Sequence, residues 1–253
     1  MLASGFLAMV PCANAAELTV DLSHYEYEET NEDGAFFISD TSKPVFFSAG
    51  VRDWDRPEED GKFGLMYTGE LTYGEVKYES ASSGTMEKSY YKARGEGYVA
   101  YRFNKFLSPY VGLGYRHLLD NSGGRTTSVG DFYYDRLSQY LYLPIGARLD
   151  PFENFNIKAQ FNKFLIGKQT SYLGKEVVGY SDAKNHQHRG MGFDVTGNYQ
   201  IADKWSVYGF YRYWDIVKSN VETGYVPVLG RIVNWWEPDN TTEEFGLGVA
   251  FRF

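Results

Sequence analysis

The chain has a single cysteine, Cys12, among 253 residues. It lies ahead of the point where an exported chain would be cut, so the mature protein would carry no disulfide and would rely on packing or on a closed sheet. Long apolar runs are missing as well. Past residue 16 no stretch approaches the ~20 apolar residues that a spanning helix needs, which excludes a helical membrane protein. A barrel escapes that exclusion, because only alternate residues of its strands face lipid. Positive charge is scarce: 25 Lys and Arg stand against 33 Asp and Glu, a net charge of -8. That balance argues against a nucleic-acid partner. There is no glycine-rich phosphate loop and no zinc motif, so no cofactor is expected.

What the chain does have is aromatic residues and glycine, with 22 Tyr, 18 Phe and 27 Gly. This mix suits strands and tight turns. Residues 1–10 form an apolar signal core, and Ala13-Asn14-Ala15 supplies the small-x-small cleavage pattern. Residues 1–15 are therefore read as a signal peptide and 16–253 as one barrel domain. The basic region that opens such peptides is absent, so the true start is taken to lie upstream. A lipid anchor on Cys12 is the alternative, which Pro11 directly before it fits poorly.

The last nine residues alternate strictly. Phe245, Leu247, Val249, Phe251 and Phe253 form one face; Gly246, Gly248, Ala250 and Arg252 form the other. The same period of two recurs in 205–213, 191–201, 155–162, 141–149, 111–116, 98–103 and 63–73, and more weakly in 45–51 and 18–22. The count is ten, an even number; eight is the alternative. Short connections (56–62, 104–106, 150–154, 202–204) alternate with long ones (29–44, 79–90, 119–137, 168–189, 215–244). Short periplasmic turns facing long external loops are what an outer-membrane barrel requires. Pro144 interrupts a strand and suggests a bulge there. The expected fold is all-β: a closed antiparallel transmembrane barrel with residues 17–22 beside 245–253.

The signal peptide, the alternating strands and the ending Gly-Leu-Gly-Val-Ala-Phe-Arg-Phe253 resemble the small porin-like outer-membrane β-barrel superfamily of Gram-negative bacteria, over residues 17–253. The resemblance implies residence in the outer membrane, with lipid and the barrel-assembly machinery as partners and Phe253 as the assembly signal. It names no subfamily.

If the apolar face meets lipid, the other lines the lumen. That face carries Arg52, Lys92, Arg94, Arg102, Arg116, Arg148, Lys158, Arg212 and Arg252 against Asp21, Glu70, Glu96 and Asp194. The interior is thus expected to lean positive, with two outcomes: a plugged, ion-paired lumen, or a narrow pore favouring anions. Phe103, Phe106, Phe152, Phe155, Trp205 and Phe253 are expected in the periplasmic aromatic girdle, and Tyr73, Tyr90, Tyr91, Tyr115, Tyr213 and Trp214 in the outer one.

Catalysis would need acid–base groups in one place. Some ten-stranded barrels are surface proteases that use acidic pairs with a histidine. Asp53-Trp54-Asp55 offers close carboxylates, and Asp182 with His186 and His188 an acid–base pair, but the topology puts them at opposite ends. His117 beside Arg116 is a lone histidine, and two histidines do not make a metal site. The leading expectation is a non-enzymatic barrel, a narrow pore or a structural membrane protein. The alternatives are an adhesin binding a host surface ligand through loops such as 233–240, and an outer-membrane enzyme acting on protein or lipid.

Overall fold

The computed structural model describes residues 16–253 apart from 32, 56, 58, 133, 177 and 178. The signal-peptide reading falls on residues 1–15, outside the described ones. In chain order the strands are β1 (Glu17–Thr30), β2 (Phe36–Ser42), β3 (Phe46–Asp53), β4 (Phe63–Ser80), β5 (Gly84–Tyr101) and β6 (Leu107–Asn121). They continue with a small hairpin, β7 (Arg125–Thr127) and β8 (Gly130–Phe132), then β9 (Arg136–Phe152), β10 (Phe155–Ser171) and β11 (Ala183–Gln187). The set ends with β12 (Gly190–Ala202), β13 (Trp205–Ile216), a second hairpin of β14 (Glu222–Val226) and β15 (Arg231–Trp235), and β16 (Asp239–Arg252). One helical turn, Leu173–Glu176, follows β10.

The wall has ten positions, because β2 and β3 together occupy one and β11 and β12 together occupy another. Every pairing is antiparallel, and β16 closes on β1, so that residues 17–22 lie beside 245–253 as expected, in the register Glu17↔Arg252 through His24↔Phe245. Closure leaves no free edge, the condition for a sheet in lipid. The outward face of β4 shows where lipid ends. Phe63, Leu65, Leu71 and Tyr73 are exposed and apolar or aromatic, whereas Glu75, Lys77 and Glu79 continue the same face. From Tyr73 to Ser80 the strand runs on for about 20 Å. The strands therefore stand well clear of the membrane on the outside.

That extension changes the reading of the long connections. Residues 79–90 are not a loop: β4 and β5 pair from Phe63↔Tyr101 to Ser80↔Gly84, leaving only 81–83 as the turn. Lipid no longer selects apolar residues above Tyr73, so alternation fades while the ladder continues. Two aromatic assignments also change. Tyr90 and Trp214 are buried inside the barrel, at 0% and 2% exposure, because each neighbours an outward aromatic (Tyr91, Tyr213) and strand parity turns it inward. Phe103, Phe106, Phe152, Trp205 and Phe253 are exposed at the other end, and Tyr73, Tyr91 and Tyr115 at the outer border. No bulge sits at Pro144, since Val111↔Ile145 and Gly114↔Tyr142 share one register. The shifts lie in the pairing of β10 with β9, between Phe155 and Ile157 and between Phe164 and Ile166.

Candidate functional site

Strand parity sends one set of side chains into the lumen, and they form three tiers. The middle tier centres on Glu96 of β5, which accepts hydrogen bonds from Arg94 (2.8 Å), Tyr98 (2.6 Å), Tyr142 of β9 (2.9 Å) and Gln160 of β10 (2.8 Å). Arg94 also pairs with Asp194 of β12 and donates to the Tyr142 hydroxyl. Lys158 donates to Tyr98 at 2.6 Å and lies over its ring. Arg212 of β13 grips Glu70 of β4 with two bonds of 2.7 Å each, the bidentate fork that fits a guanidinium to a carboxylate. Lys92 meets Glu244 of β16 at 2.7 Å, and Ser23 of β1 donates to the same carboxylate. Arg52 joins Glu17 at 2.7 Å and Asn198 at 2.6 Å. Of these links, Arg94–Asp194, Arg212–Glu70 and Lys92–Glu244 join strands that are not neighbours in the wall and so run across the lumen, whereas Arg94–Glu96 lies along β5 and Arg52–Glu17 joins two paired strands.

The periplasmic tier is made by the turn after β3, which folds into the mouth. Trp54 donates its indole N–H to Thr68 at 2.7 Å, and the cations of Arg52 and Lys158 lie on its ring. Three expected lumen arginines hold this turn from the wall. Arg102 binds Asp60 at 2.6 Å and the Pro57 carbonyl at 2.9 Å. Arg148 binds the Trp54 carbonyl and Asp150, and Arg252 reaches Asp55 and Glu17. Acidic residues folding inward thus satisfy cations that the strands alone left unmatched.

The outer tier lies above the lipid belt. Arg136 of β9 pairs with Glu29 of β1, Asp120 of β6 and Glu237. Lys88 bridges Asp40 and Asp120 at 3.1 and 2.6 Å, beside a cluster of Tyr25, Phe46, Tyr90, Val76 and Leu118. Burial pushes the Glu237 carboxyl up to about 8, with Glu29 and Asp120 adding to the rise and Arg136 opposing it. Burial likewise lifts Asp40 to about 6, against the pull of Lys88.

A raised folded-state pKa means that this contribution is complete below the ordinary carboxyl range and is lost as pH climbs through about 8. The Ser219 N–H donates to the Glu237 carbonyl at 3.0 Å, and the Glu237 N–H donates to the Ser219 hydroxyl at 2.8 Å. Amides of residues 217–238 are therefore expected to exchange faster at pH 9 than at pH 6.5, after correction for intrinsic rates. Glu237→Gln should remove most of the difference. Equal protection at both pH values would show that Glu237 ionises without loosening the segment.

The positive lean expected of the interior is corrected by this inventory. In the middle tier Arg52, Lys92, Arg94, Arg116, Lys158 and Arg212 are matched in number by Glu17, Asp21, Glu70, Glu96, Asp194 and Glu244. Glu244, Glu17, Asp120, Glu29 and Asp40 were missed because strands were ended where alternation of apolar residues ended. Parity would have found them. Stepping by two from Gly246 gives Glu244, from Arg116 gives Leu118 and Asp120, and from Asp21 gives Ser23, Tyr25, Tyr27 and Glu29. Glu237 and the inward fold of Trp54 and Asp55 carry no such signal.

Two cavities among the middle-tier side chains measure about 40 and 20 Å³, room for a few waters rather than a water column. The groups weighed for catalysis stay apart. Asp53 and Asp55 belong to the periplasmic turn, while His186 lies in β11 with His188 just beyond it and Asp182 just before it, at the outer end. The His186 and His188 rings stack 6.5 Å apart. His117 faces outward, beside Tyr115.

No protein-family model matches the chain, and no curated protein matches it in sequence. Its fold is similar to that of the outer-membrane protease OmpT from Escherichia coli, at 9% identity over 97% of this chain and 99% of that one, with a TM-score of 0.56. The translocator domain of the autotransporter NalP from Neisseria meningitidis aligns at 7% identity over 95% and 89% of the two chains, with a TM-score of 0.48. An outer-membrane channel from Pseudomonas putida F1 aligns at 10% identity over the whole of both chains, with a TM-score of 0.46. At 9% identity the likeness to OmpT is one of fold: a closed antiparallel barrel.

Proposed function

We propose that this bacterial outer-membrane β-barrel is a sealed, non-conducting membrane protein that works through its extracellular extension, neither as a pore nor as an enzyme. The observation that carries the reading is the ion-paired lumen. Arg94–Asp194 and Arg212–Glu70 cross it within the lipid belt and Lys92–Glu244 crosses it at the outer border, with the Trp54 turn below and the Arg136 cluster above. An ion crossing this path would have to displace groups whose desolvation is already met by their partners. In planar bilayers the purified wild-type barrel is expected to give no steady single-channel current. A steady current of either selectivity would overturn the seal. Separation of Asp53 and Asp55 from His186 and His188 supports the non-enzymatic part.

The β14–β15 hairpin favours binding of an apolar or aromatic surface ligand at the outer end. Tyr225 and Ile232 sit opposite one another and are 64% and 67% exposed. Val221 and Trp236 extend the same outward row. The double substitution Tyr225→Ser with Ile232→Ser should reduce attachment of expressing cells to host surfaces without changing barrel folding; unchanged attachment would dismiss the role.

A further inference from the structure

Arg116 differs from the other cations of the middle lumen. It points inward from β6 and is 8% exposed. Lys92, Arg94 and Arg212 each hold a carboxylate. Among the described residues Arg116 has no carboxylate within ion-pair reach. Its guanidinium lies instead against the rings of Trp214 and Tyr140, with centroids at 5.4 and 5.9 Å. Ring faces attract a cation but accept few of the five N–H bonds a guanidinium can donate.

Arg116 lines the cavity of about 20 Å³, together with Lys92, Arg212, Trp214, Thr72 and Thr242. The volume suits one particle of about water size. The two carboxylates on the cavity wall are already engaged, Glu70 by Arg212 and Glu244 by Lys92. Arg94 also lines the cavity and is held by Asp194 and Glu96; with Lys92 on Glu244 and Arg212 on Glu70, the acids that match the middle-tier cations in number leave Arg116 without a carboxylate of its own at this point. A water would satisfy N–H groups here but would not cancel a buried charge, which is costly to leave uncompensated.

We propose that the lumen holds one resident small monovalent anion, of chloride size, bound by Arg116 in this cavity. The anion is a structural counter-ion and part of the seal; the inference rests on the closed-lumen reading above. The ion is spherical, so it accepts from the guanidinium N–H groups and the Thr242 hydroxyl without demanding a fixed geometry. Sulfate, doubly charged and larger, does not fit.

The test is unfolding of the full-length refolded barrel in urea at constant ionic strength, in sodium chloride, bromide, gluconate or sulfate. Chloride and bromide should raise the midpoint along a saturating curve, while gluconate and sulfate should not. Arg116→Met should erase the halide dependence. If that variant does not fold, chlorine-35 resonance broadening by the wild-type barrel, reversed by bromide, gives the same answer. Identical wild-type midpoints in chloride and gluconate, with no excess broadening, would mean that the cavity holds water only and would overturn the proposal. Current across bilayers is measured separately, so a failed seal is distinguishable from a failed anion site.

Discussion

Arg94→Met should destabilise the folded barrel by about 3–5 kcal/mol, the range for removing one partner of a buried ion pair. Arg94 is the only described cation that holds both Asp194 on β12 and Glu96 on β5. Methionine fills similar space but brings no charge. Glu96 keeps Tyr98, Tyr142 and Gln160 as donors, whereas Asp194 keeps only the Gln160 amide, at 3.0 Å, among its described side-chain donors. The stranded charge is therefore Asp194, and Asp194→Asn in the Arg94→Met background should recover much of the loss. Urea titration of the refolded protein reads both variants. A cost of Arg94→Met below about 1 kcal/mol, typical of exposed pairs, would show that water already reaches this tier.

Gly114→Val is the second large effect, and it acts through shape. A Cβ on Gly114 would lie 2.3 Å from two ring carbons of Tyr142. That ring cannot step aside cheaply. It is fully buried, meets Trp214 edge-on at 4.8 Å, and its hydroxyl joins Arg94 to Glu96. Overpacking of this kind costs about 1–3 kcal/mol, and displacement of the hydroxyl adds to it. Tyr142→Ala should be costly alone, yet it removes the clash, so the double variant should be more stable than the sum of the two losses allows. Strict additivity would place the damage of Gly114→Val in the backbone instead.

Much of the fold was legible because lipid enforces a rule that sequence can express. Wherever an outward residue faces hydrocarbon it must be apolar, and its neighbours then mark the lumen, as in Phe245–Phe253 and Met191–Ile201. All ten wall positions carry that signature somewhere along their length. The same rule fails above Tyr73, Tyr91 and Tyr115, where outward residues meet water and become Glu75, Lys77 and Glu87. There the alternation no longer separates strand from loop. Arg136, Asp120 and Glu29 consequently looked like loop charges, although they stand on inward positions of β9, β6 and β1.

The sequence by itself determined the class of fold, the number and parity of the wall strands, and the inward direction of Arg52, Arg94, Arg116, Lys158, Arg212, Glu70, Glu96 and Asp194. Only the tertiary structure decided which of these groups meet. Arg94 and Asp194 are 100 residues apart, and Lys92 and Glu244 are 152 apart. Their meeting depends on the angle and height each strand takes when the sheet closes into a cylinder. Period-two patterning encodes the face of a strand but neither of those quantities. The inward fold of the Trp54 turn is of the same kind, since it is set by Arg102, Arg148 and Arg252 converging from three separate strand ends.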